Sequence, residues 1–220
     1  MRSVIFDLDG TLMDTSGDLI AAANSRFRAL GLGDLLDPEI DAGIALRGGR
    51  AMLRTGFARV EGFGEPEVEA QYRPLLADYE AAIDTHSVLY PGAMEAVEEL
   101  RALGYGVGIC TNKPERLADL LLSRKGVRAA FGALIGADTL KVRKPYPEAL
   151  FETVRRLDCD PARTCLVGDS DTDRNTARAA GVPSILVTFG PAGGDMAALA
   201  PEALLPDFGA LVETVEALRL

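Results

Sequence analysis

The alternation of helical and strand patterns over residues 91–220 constrains the fold more than any other feature of this chain. Apolar runs of strand length alternate there with segments whose apolar residues recur at helical spacing. Strands are predicted over 106–111, 133–136, 164–168 and 184–188, and helices over 93–103, 115–124, 146–157, 171–180 and 209–218. Such alternation is typical of a parallel sheet with helices on both faces. The sequence therefore predicts an α/β protein with a doubly wound parallel sheet.

A further strand and a long insertion precede this region. Residues 3–7 are apolar and must join the same sheet to bury their side chains. Residues 14–88 show no strand pattern. Helices are predicted there over 17–30, 49–60 and 66–83, and residues 190–194 are predicted as a loop. We therefore expect a core of residues 1–13 and 89–220, interrupted by an inserted helical module of residues 14–88.

Polar side chains follow three of the predicted strands. They are Asp7 and Asp9 after the first strand, Thr111 and Asn112 after the second, and Asp169 after the third. Ligands of open parallel sheets bind at the carboxyl ends of the strands, where strand order reverses. Two carboxylates at a strand end also fit a turn or a helix cap. The recurrence at three strand ends instead indicates one site, with metal or acid–base chemistry.

Charge and composition limit the partners. The chain of 220 residues is 48% hydrophobic and 25% charged, which is typical of a globular protein with a substantial core. Its net charge of −10 predicts no nucleic-acid partner and no anionic membrane surface, because no basic stripe is present to neutralise phosphates. A small phosphorylated substrate fits, since local cations and a metal can hold it. The oligomeric state is left open.

The cysteines indicate a reducing compartment. Cys110, Cys159 and Cys165 are odd in number and lack the spacing of a metal site. We expect reduced thiols in a cytoplasmic protein. The sequence shows no secretory leader pattern and no apolar run long enough to span a membrane.

Four short segments, in order, resemble the motifs of the haloacid dehalogenase (HAD) superfamily. They are residues 7–12 (Asp-Leu-Asp-Gly-Thr-Leu), 110–114 (Cys-Thr-Asn-Lys-Pro), 144–148 (Lys-Pro-Tyr-Pro-Glu) and 168–173 (Gly-Asp-Ser-Asp-Thr-Asp). The run Ala-Arg-Ala-Ala-Gly at 177–181 is also similar. The insertion directly after the first motif resembles the helical cap of the phosphoglycolate phosphatase-like branch.

This resemblance implies a Mg²⁺-dependent phosphatase that works through an aspartyl-phosphate. Asp7 would be the nucleophile, Asp9 the general acid and then the general base, and Lys144 the fixed positive charge. The ion would be held by Asp7, Asp169 and the Asp9 carbonyl, with Asp173 binding it directly or through its waters. Phosphoryl oxygens would be bound by the Thr111 hydroxyl and the Asn112 backbone N–H.

The substrate is less constrained than the reaction. By resemblance Lys113 would meet a substrate carboxylate, which makes 2-phosphoglycolate the leading substrate. Arg47 and Arg50, in the insertion, are suited to binding an anionic substrate. The pattern is equally consistent with a turn that carries two surface arginines. A sugar-phosphate phosphatase and a β-phosphoglucomutase-like phosphomutase stay open as alternatives. A non-catalytic phosphoacceptor protein is the alternative of another class.

Overall fold

The computed structural model describes residues 1–191 and 195–220, so most of the predicted loop at 190–194 lies outside the described residues. The strands are β1 (Ser3–Phe6), β2 (Met13–Asp14), β3 (Val88–Leu89), β4 (Gly106–Cys110), β5 (Ala133–Ile135), β6 (Thr164–Gly168), β7 (Ser184–Val187) and β8 (Ala203–Leu205). The α-helices are α1 (Ser16–Ala29), α2 (Ala42–Ala45), α3 (Gly49–Phe57), α4 (Glu65–Ala81), α5 (Ala93–Ala102), α6 (Glu115–Arg124), α7 (Glu148–Arg156), α8 (Asp171–Ala180) and α9 (Leu211–Ala217). Single 3₁₀ turns lie at Arg128–Ala130, Pro161–Arg163, Met196–Leu199 and Phe208–Ala210.

The main sheet is parallel, with strand order β5-β4-β1-β6-β7-β8. The chain adds β4 and β5 on one side of β1, and then β6, β7 and β8 on the other side. Strand order therefore reverses beside β1, where open sheets form their ligand crevice. β2 and β3 form a separate two-stranded sheet. The predicted doubly wound α/β fold is confirmed.

The central strands are apolar on both faces because helices cover both sides of the sheet. Every residue of β1 and of β4 is buried. One buried cluster joins Ile5, Cys110 and Leu166 of the sheet to Leu150 and Val154 of α7. This packing fixes the position of the central strands relative to α7.

Most predicted element bounds differ from the structure by one to three residues. α6, α8 and β6 have the predicted bounds, whereas α7 begins two residues later than predicted. Tyr146 precedes Pro147, and a residue before proline is disfavoured in helical conformation. The helix predicted over 209–218 is a 3₁₀ turn followed by α9. The sequence patterns missed α2, β2, β3 and β8, because segments of two to four residues are too short to show a period.

The described residues separate into two compact units, one of Met1–Met13 with Leu89–Leu220 and one of Asp14–Val88. The first unit contains the main sheet, and the second contains α1 to α4. In the helical unit, the Phe27 ring packs edge-on against Phe57 at 5.2 Å, and Phe57 stacks on Phe63 at 5.1 Å. A Cβ on Gly56 would lie 2.2 Å from the Phe27 ring, so a glycine is required where α1 and α3 meet.

A buried carboxylate joins the two ends of the helical unit. Asp18, on α1, accepts hydrogen bonds from the backbone N–H of His86 (2.8 Å) and of Ser87 (2.8 Å) and from the Ser87 hydroxyl (2.7 Å). At the start of α1, Asp14 accepts from the backbone N–H and the hydroxyl of Ser16. The start of α1 and the end of this unit are therefore held together by the Asp18 side chain.

The three cysteines are free thiols, as expected. Cys110 and Cys165 are buried, and burial raises the pKa of each thiol to about 12. Among the described residues, no helix combines the length and the apolar character that crossing a membrane requires.

Candidate active site

The first motif forms a turn at the carboxyl end of β1. The backbone N–H of Asp7 still donates to the carbonyl of Val167 on β6 (2.9 Å), and the chain then leaves the sheet. Gly10 adopts a φ of 82°, which a glycine adopts without strain, and its N–H donates to the Met13 carbonyl. The turn places the Asp7 and Asp9 carboxyl groups at the point where strand order reverses.

A buried lysine lies between two carboxylates. Lys144 Nζ is 3.0 Å from Asp7 Oδ2 and 2.6 Å from Asp173 Oδ1, and its side chain is 1% exposed. One carboxylate oxygen from each of Asp7, Asp169 and Asp173 lies within 4.8 Å of the others. The structure thus gathers residues from three of the four motifs into one cluster.

Residues at the start of α8 position the Asp173 carboxylate. Asp173 Oδ2 accepts a 2.6 Å hydrogen bond from the Ser170 hydroxyl and a 3.3 Å bond from the Asp169 backbone N–H. A Cβ on Gly168 would lie 2.3 Å from Asp173 Cγ, so any side chain there would displace this carboxylate. The Thr11 hydroxyl donates to Asp169 Oδ1 at 3.0 Å. Thr11 and Ser170 are the residues that hold the cluster in place.

The cluster carries an excess of negative charge. Burial raises the pKa of Asp7 to about 6, although Lys144 opposes this rise. Burial and the neighbouring Asp173 and Asp7 carboxylates raise the pKa of Asp169 well above its ordinary value. Burial lowers the pKa of Lys144, but Asp173 and Asp7 outweigh it and raise the net value, so Lys144 stays charged. One ammonium group cannot compensate three carboxylates, whereas a divalent cation with oxygen ligands can, and this donor set suits a hard ion.

The second motif contributes three neighbouring groups with different partners. Thr111 is buried, and its hydroxyl accepts from the Lys113 backbone N–H at 3.2 Å. The Asn112 amide donates to the Lys144 carbonyl at 3.1 Å, while its Oδ1 is buried without a hydrogen bond among the described residues. Lys113 Nζ donates to both carboxylate oxygens of Asp9, at 2.9 and 3.2 Å. The structure therefore places Lys113 beside the first motif and Asn112 beside the third, whereas the Thr111 hydroxyl contacts Lys113 of its own motif.

The two candidate arginines lie in the helical unit and differ from each other. Arg50 makes a bidentate contact with Glu69 (2.6 and 3.0 Å), and its guanidinium lies 3.6 Å from the centre of the Tyr72 ring. The Arg47 side chain is exposed and makes no ion pair in the described part of the chain. Arg50 thus ties α3 to α4, and Arg47 is the arginine of this pair that is available to a ligand.

Sequence reasoning missed the supporting residues Thr11 and Ser170 and the contact of Asn112 with Lys144. Thr11 bonds to a residue 158 positions away in sequence, and the Asn112 contact spans 32 positions. No local pattern can reveal such pairs. The one available signal is position, because Thr11 and Ser170 each lie within two residues of a carboxylate in a motif.

A doubly wound sheet with a lysine buried among carboxylates at its reversal point is typical of proteins that handle phosphoryl groups. The chain belongs to the haloacid dehalogenase-like hydrolase family, whose model matches residues 4–187. The superfamily assignment made from the four motifs is confirmed.

Curated relatives resemble the chain over nearly its whole length. A phosphoglycolate phosphatase of Agrobacterium fabrum is 36% identical over 208 residues, covering 94% of this chain and 89% of the relative. A phosphoglycolate phosphatase of Mesorhizobium japonicum is 37% identical over 217 residues, covering 98% and 95%. A solved structure described as a predicted phosphoglycolate phosphatase from Haemophilus somnus matches with a TM-score of 0.86 at 25% identity, covering 97% of each chain.

Proposed function

We propose that this phosphatase depends on Mg²⁺, works through an aspartyl-phosphate on Asp7 and hydrolyses 2-phosphoglycolate. The observation that carries the proposal is the buried arrangement of Lys144 between Asp7 and Asp173, with Asp169 beside them. The substrate is suggested by the names of the relatives and by the lysine of the second motif. The carboxylates alone would repel a phosphate monoester dianion. The proposed reaction therefore needs both the Lys144 ammonium group and a bound metal ion to offset their charge.

Each residue has a separate task in the proposed reaction. Asp7 attacks phosphorus, and the bond between phosphorus and the ester oxygen breaks as Asp9 gives that oxygen its proton. Asp9 then takes a proton from the water that attacks the aspartyl-phosphate, which releases inorganic phosphate and restores Asp7. Lys144 offsets charge on Asp7 throughout. Thr111 and the Asn112 N–H hold phosphoryl oxygens.

Mg²⁺ would be held by Asp7, Asp169 and the Asp9 carbonyl, with Asp173 binding it directly or through water. When bound, it supplies the positive charge that brings the phosphate and Asp7 together. The carboxylate cluster and the raised pKa values of Asp7 and Asp169 support this assignment.

Removing one carboxylate should weaken metal binding. We expect Asp169→Asn to raise the Mg²⁺ concentration for half-maximal activity by at least about tenfold. Because the pKa of Asp7 is about 6, the metal must displace a proton below that pH, so wild-type affinity should also be weaker at pH 5 than at pH 8. Titration of activity and of the thermal midpoint with Mg²⁺ measures both effects.

Asp171→Asn is the matched control, because Asp171 is an exposed carboxylate in the same motif. Its metal titration should follow that of the wild type. An Asp169→Asn protein with an unchanged titration would contradict the ligand assignment.

The reaction and its substrate are tested by phosphate release from 2-phosphoglycolate, sugar phosphates, nucleotides and pyrophosphate, with Mg²⁺ and with EDTA. Metal-dependent preference for 2-phosphoglycolate supports the proposal. Preference for a sugar phosphate would favour the sugar-phosphate phosphatase. Activity only with a bisphosphate activator would favour the phosphomutase, and a phosphorylated Asp7 that persists without turnover would favour the phosphoacceptor.

Arg47 is proposed to contact the substrate. We expect Arg47→Ala to raise KM for 2-phosphoglycolate by about tenfold and to change kinetics with p-nitrophenyl phosphate little, since the loss is of a substrate contact. Arg50→Ala should instead lower the thermal midpoint, because it removes the Glu69 and Tyr72 contacts. Equal kinetic effects of Arg47→Ala on both substrates would point to a folding defect.

We also propose that the protein acts in the cytoplasm. The free thiols of Cys110, Cys159 and Cys165 support this location, because a reducing compartment keeps thiols in that state.

A further inference from the structure

The second motif lies on the loop between β4 and α6, and the start of that helix is capped from another segment. α6 begins at Glu115, and the preceding Pro114 has no side-chain oxygen that could accept from the first N–H groups of the helix. Asp138 Oδ1 accepts from the Glu115 backbone N–H at 2.8 Å instead. Asp138 belongs to the turn 136–139, which follows β5. This turn therefore fixes the start of α6.

The Thr139 hydroxyl makes two contacts at the same place. It accepts from the Gly136 backbone N–H at 2.8 Å and donates to Glu115 Oε2. A Cβ on Gly136 would overlap the Glu115 backbone, so the turn and the helix start are in direct contact there. The hydroxyl therefore joins the residue that follows β5 to the first residue of α6.

Backbone hydrogen bonds extend this link to the second motif itself. The Ala137 N–H donates to the Lys113 carbonyl at 2.9 Å, and the Thr111 N–H donates to the Ile135 carbonyl at 2.9 Å. Both partners belong to the end of β5 or to the turn after it. The backbone that presents the proposed phosphoryl contacts of Thr111 and Asn112 is therefore held by β5 and this turn.

We propose that Thr139 and Asp138 are positioning residues for phosphate binding: they hold the turn after β5 against the start of α6, and this turn fixes the backbone of the second motif. The inference rests on the proposed function of Thr111 and Asn112. Thr139 and Asp138 act through Glu115 and not through contact with the substrate. Because a displacement of about 1 Å in a positioned group can lower a rate by about 100-fold, the loss of one such contact is measurable in turnover.

The test compares Thr139→Val, which keeps the shape of the side chain and removes its hydroxyl, with Thr139→Ser, which keeps the hydroxyl. Thr214→Val is the matched control, because it removes a hydroxyl that donates to the Ala210 carbonyl at 2.7 Å, outside the four motifs. Each protein is assayed with Mg²⁺ at a temperature below its thermal midpoint.

We expect Thr139→Val to lower kcat/KM by about tenfold with both 2-phosphoglycolate and p-nitrophenyl phosphate, because both are held by the phosphoryl group. The inhibition constant of inorganic phosphate should rise by about the same factor. Thr139→Ser should restore both values toward those of the wild type, and Thr214→Val should match the wild type.

The Mg²⁺ requirement distinguishes a displaced second motif from a general loss of structure. The proposed metal ligands Asp7 and Asp169 follow β1 and β6, and not β4 or β5. The Mg²⁺ concentration for half-maximal activity should therefore stay unchanged in Thr139→Val. A rise in parallel with the phosphate inhibition constant would overturn the proposal, since the whole site would then be displaced.

Wild-type kinetics in Thr139→Val would also overturn it, even if the thermal midpoint falls, because the hydroxyl would then serve stability alone. Equal losses in Thr139→Val and Thr139→Ser would do the same. If Thr139→Val lacks a cooperative melting transition, Asp138→Ala takes its place, with Asp138→Asn as the variant that keeps an acceptor. Wild-type kinetics in Asp138→Ala would then overturn the proposal. A wild-type protein that releases phosphate from neither ester would instead refute the proposed function.

Discussion

Asp7→Asn is expected to lower the rate of phosphate release by at least about 10⁴-fold, while the protein stays folded. An amide cannot form the aspartyl-phosphate, so the loss should appear in kcat with every substrate. The side chain keeps its size and an oxygen that can accept the 2.7 Å hydrogen bond from the Leu8 backbone N–H. Steady-state phosphate release and mass spectrometry for a phosphorylated intermediate measure the effect.

The same variant has a second readout that does not depend on activity. Because the folded-state pKa of Asp7 is raised to about 6, the stability that this group contributes is greatest below its ordinary pKa near 4 and is lost as pH rises through 6. Asparagine does not titrate. Without metal, the free energy of unfolding of Asp7→Asn should therefore rise relative to the wild type between pH 4 and 7, by up to about 3 kcal/mol. Denaturant unfolding in EDTA measures this difference.

Asp171→Asn again serves as the control, since it changes an exposed carboxylate in the same way. It should retain activity and the wild-type pH dependence of stability. Substantial turnover by Asp7→Asn would contradict the assignment of the nucleophile.

Lys144→Met is expected to lose both activity and stability. The variant leaves the Asp7 and Asp173 carboxylates buried without their shared cation, at a cost of about 3–5 kcal/mol at neutral pH. Activity should fall by about 10³-fold, since the charge that offsets Asp7 and the phosphate is lost. Unfolding by denaturant and phosphate release measure the two effects.

The pH dependence distinguishes this explanation from simple packing loss. Without Lys144 the pKa of Asp7 should rise further, so the stability that this group contributes is present at low pH and is lost as pH increases. Lys144→Met should therefore approach the wild type at pH 5 and differ most at pH 8. Lys141→Met, which alters an exposed lysine three residues away, should match the wild type. A deficit independent of pH would indicate that the aliphatic stem, and not the charge, is what matters.

The sequence was sufficient for the order of the main elements because long elements have clear periods. The bounds of α6, α8 and β6 were predicted, and so was the convergence of Asp7 with Asp169 at one sheet edge. The convergence follows from strand topology, which brings the carboxyl ends of parallel strands together.

What the sequence could not provide are side-chain partners. Arg47 and Arg50 look alike in the sequence, yet Glu69 and Tyr72 engage only Arg50 among the contacts described. Lys113 was expected to face a substrate, and its contact with Asp9 depends on packing between residues 104 positions apart. Such pairing is set by tertiary structure, which local periodicity does not encode.

The Asp18 contacts have a consequence for how this enzyme can diversify. Because Asp18 holds the backbone of His86 and Ser87 beside α1, the chain enters and leaves the helical unit at one place. A module tethered in this way can be replaced by another of different length without stretching the strands on either side. Recombination at residues 14 and 88 would thus leave the main sheet and its carboxylate cluster intact, and a chimaera carrying a relative's helices between these residues would test whether the helical unit sets the substrate range.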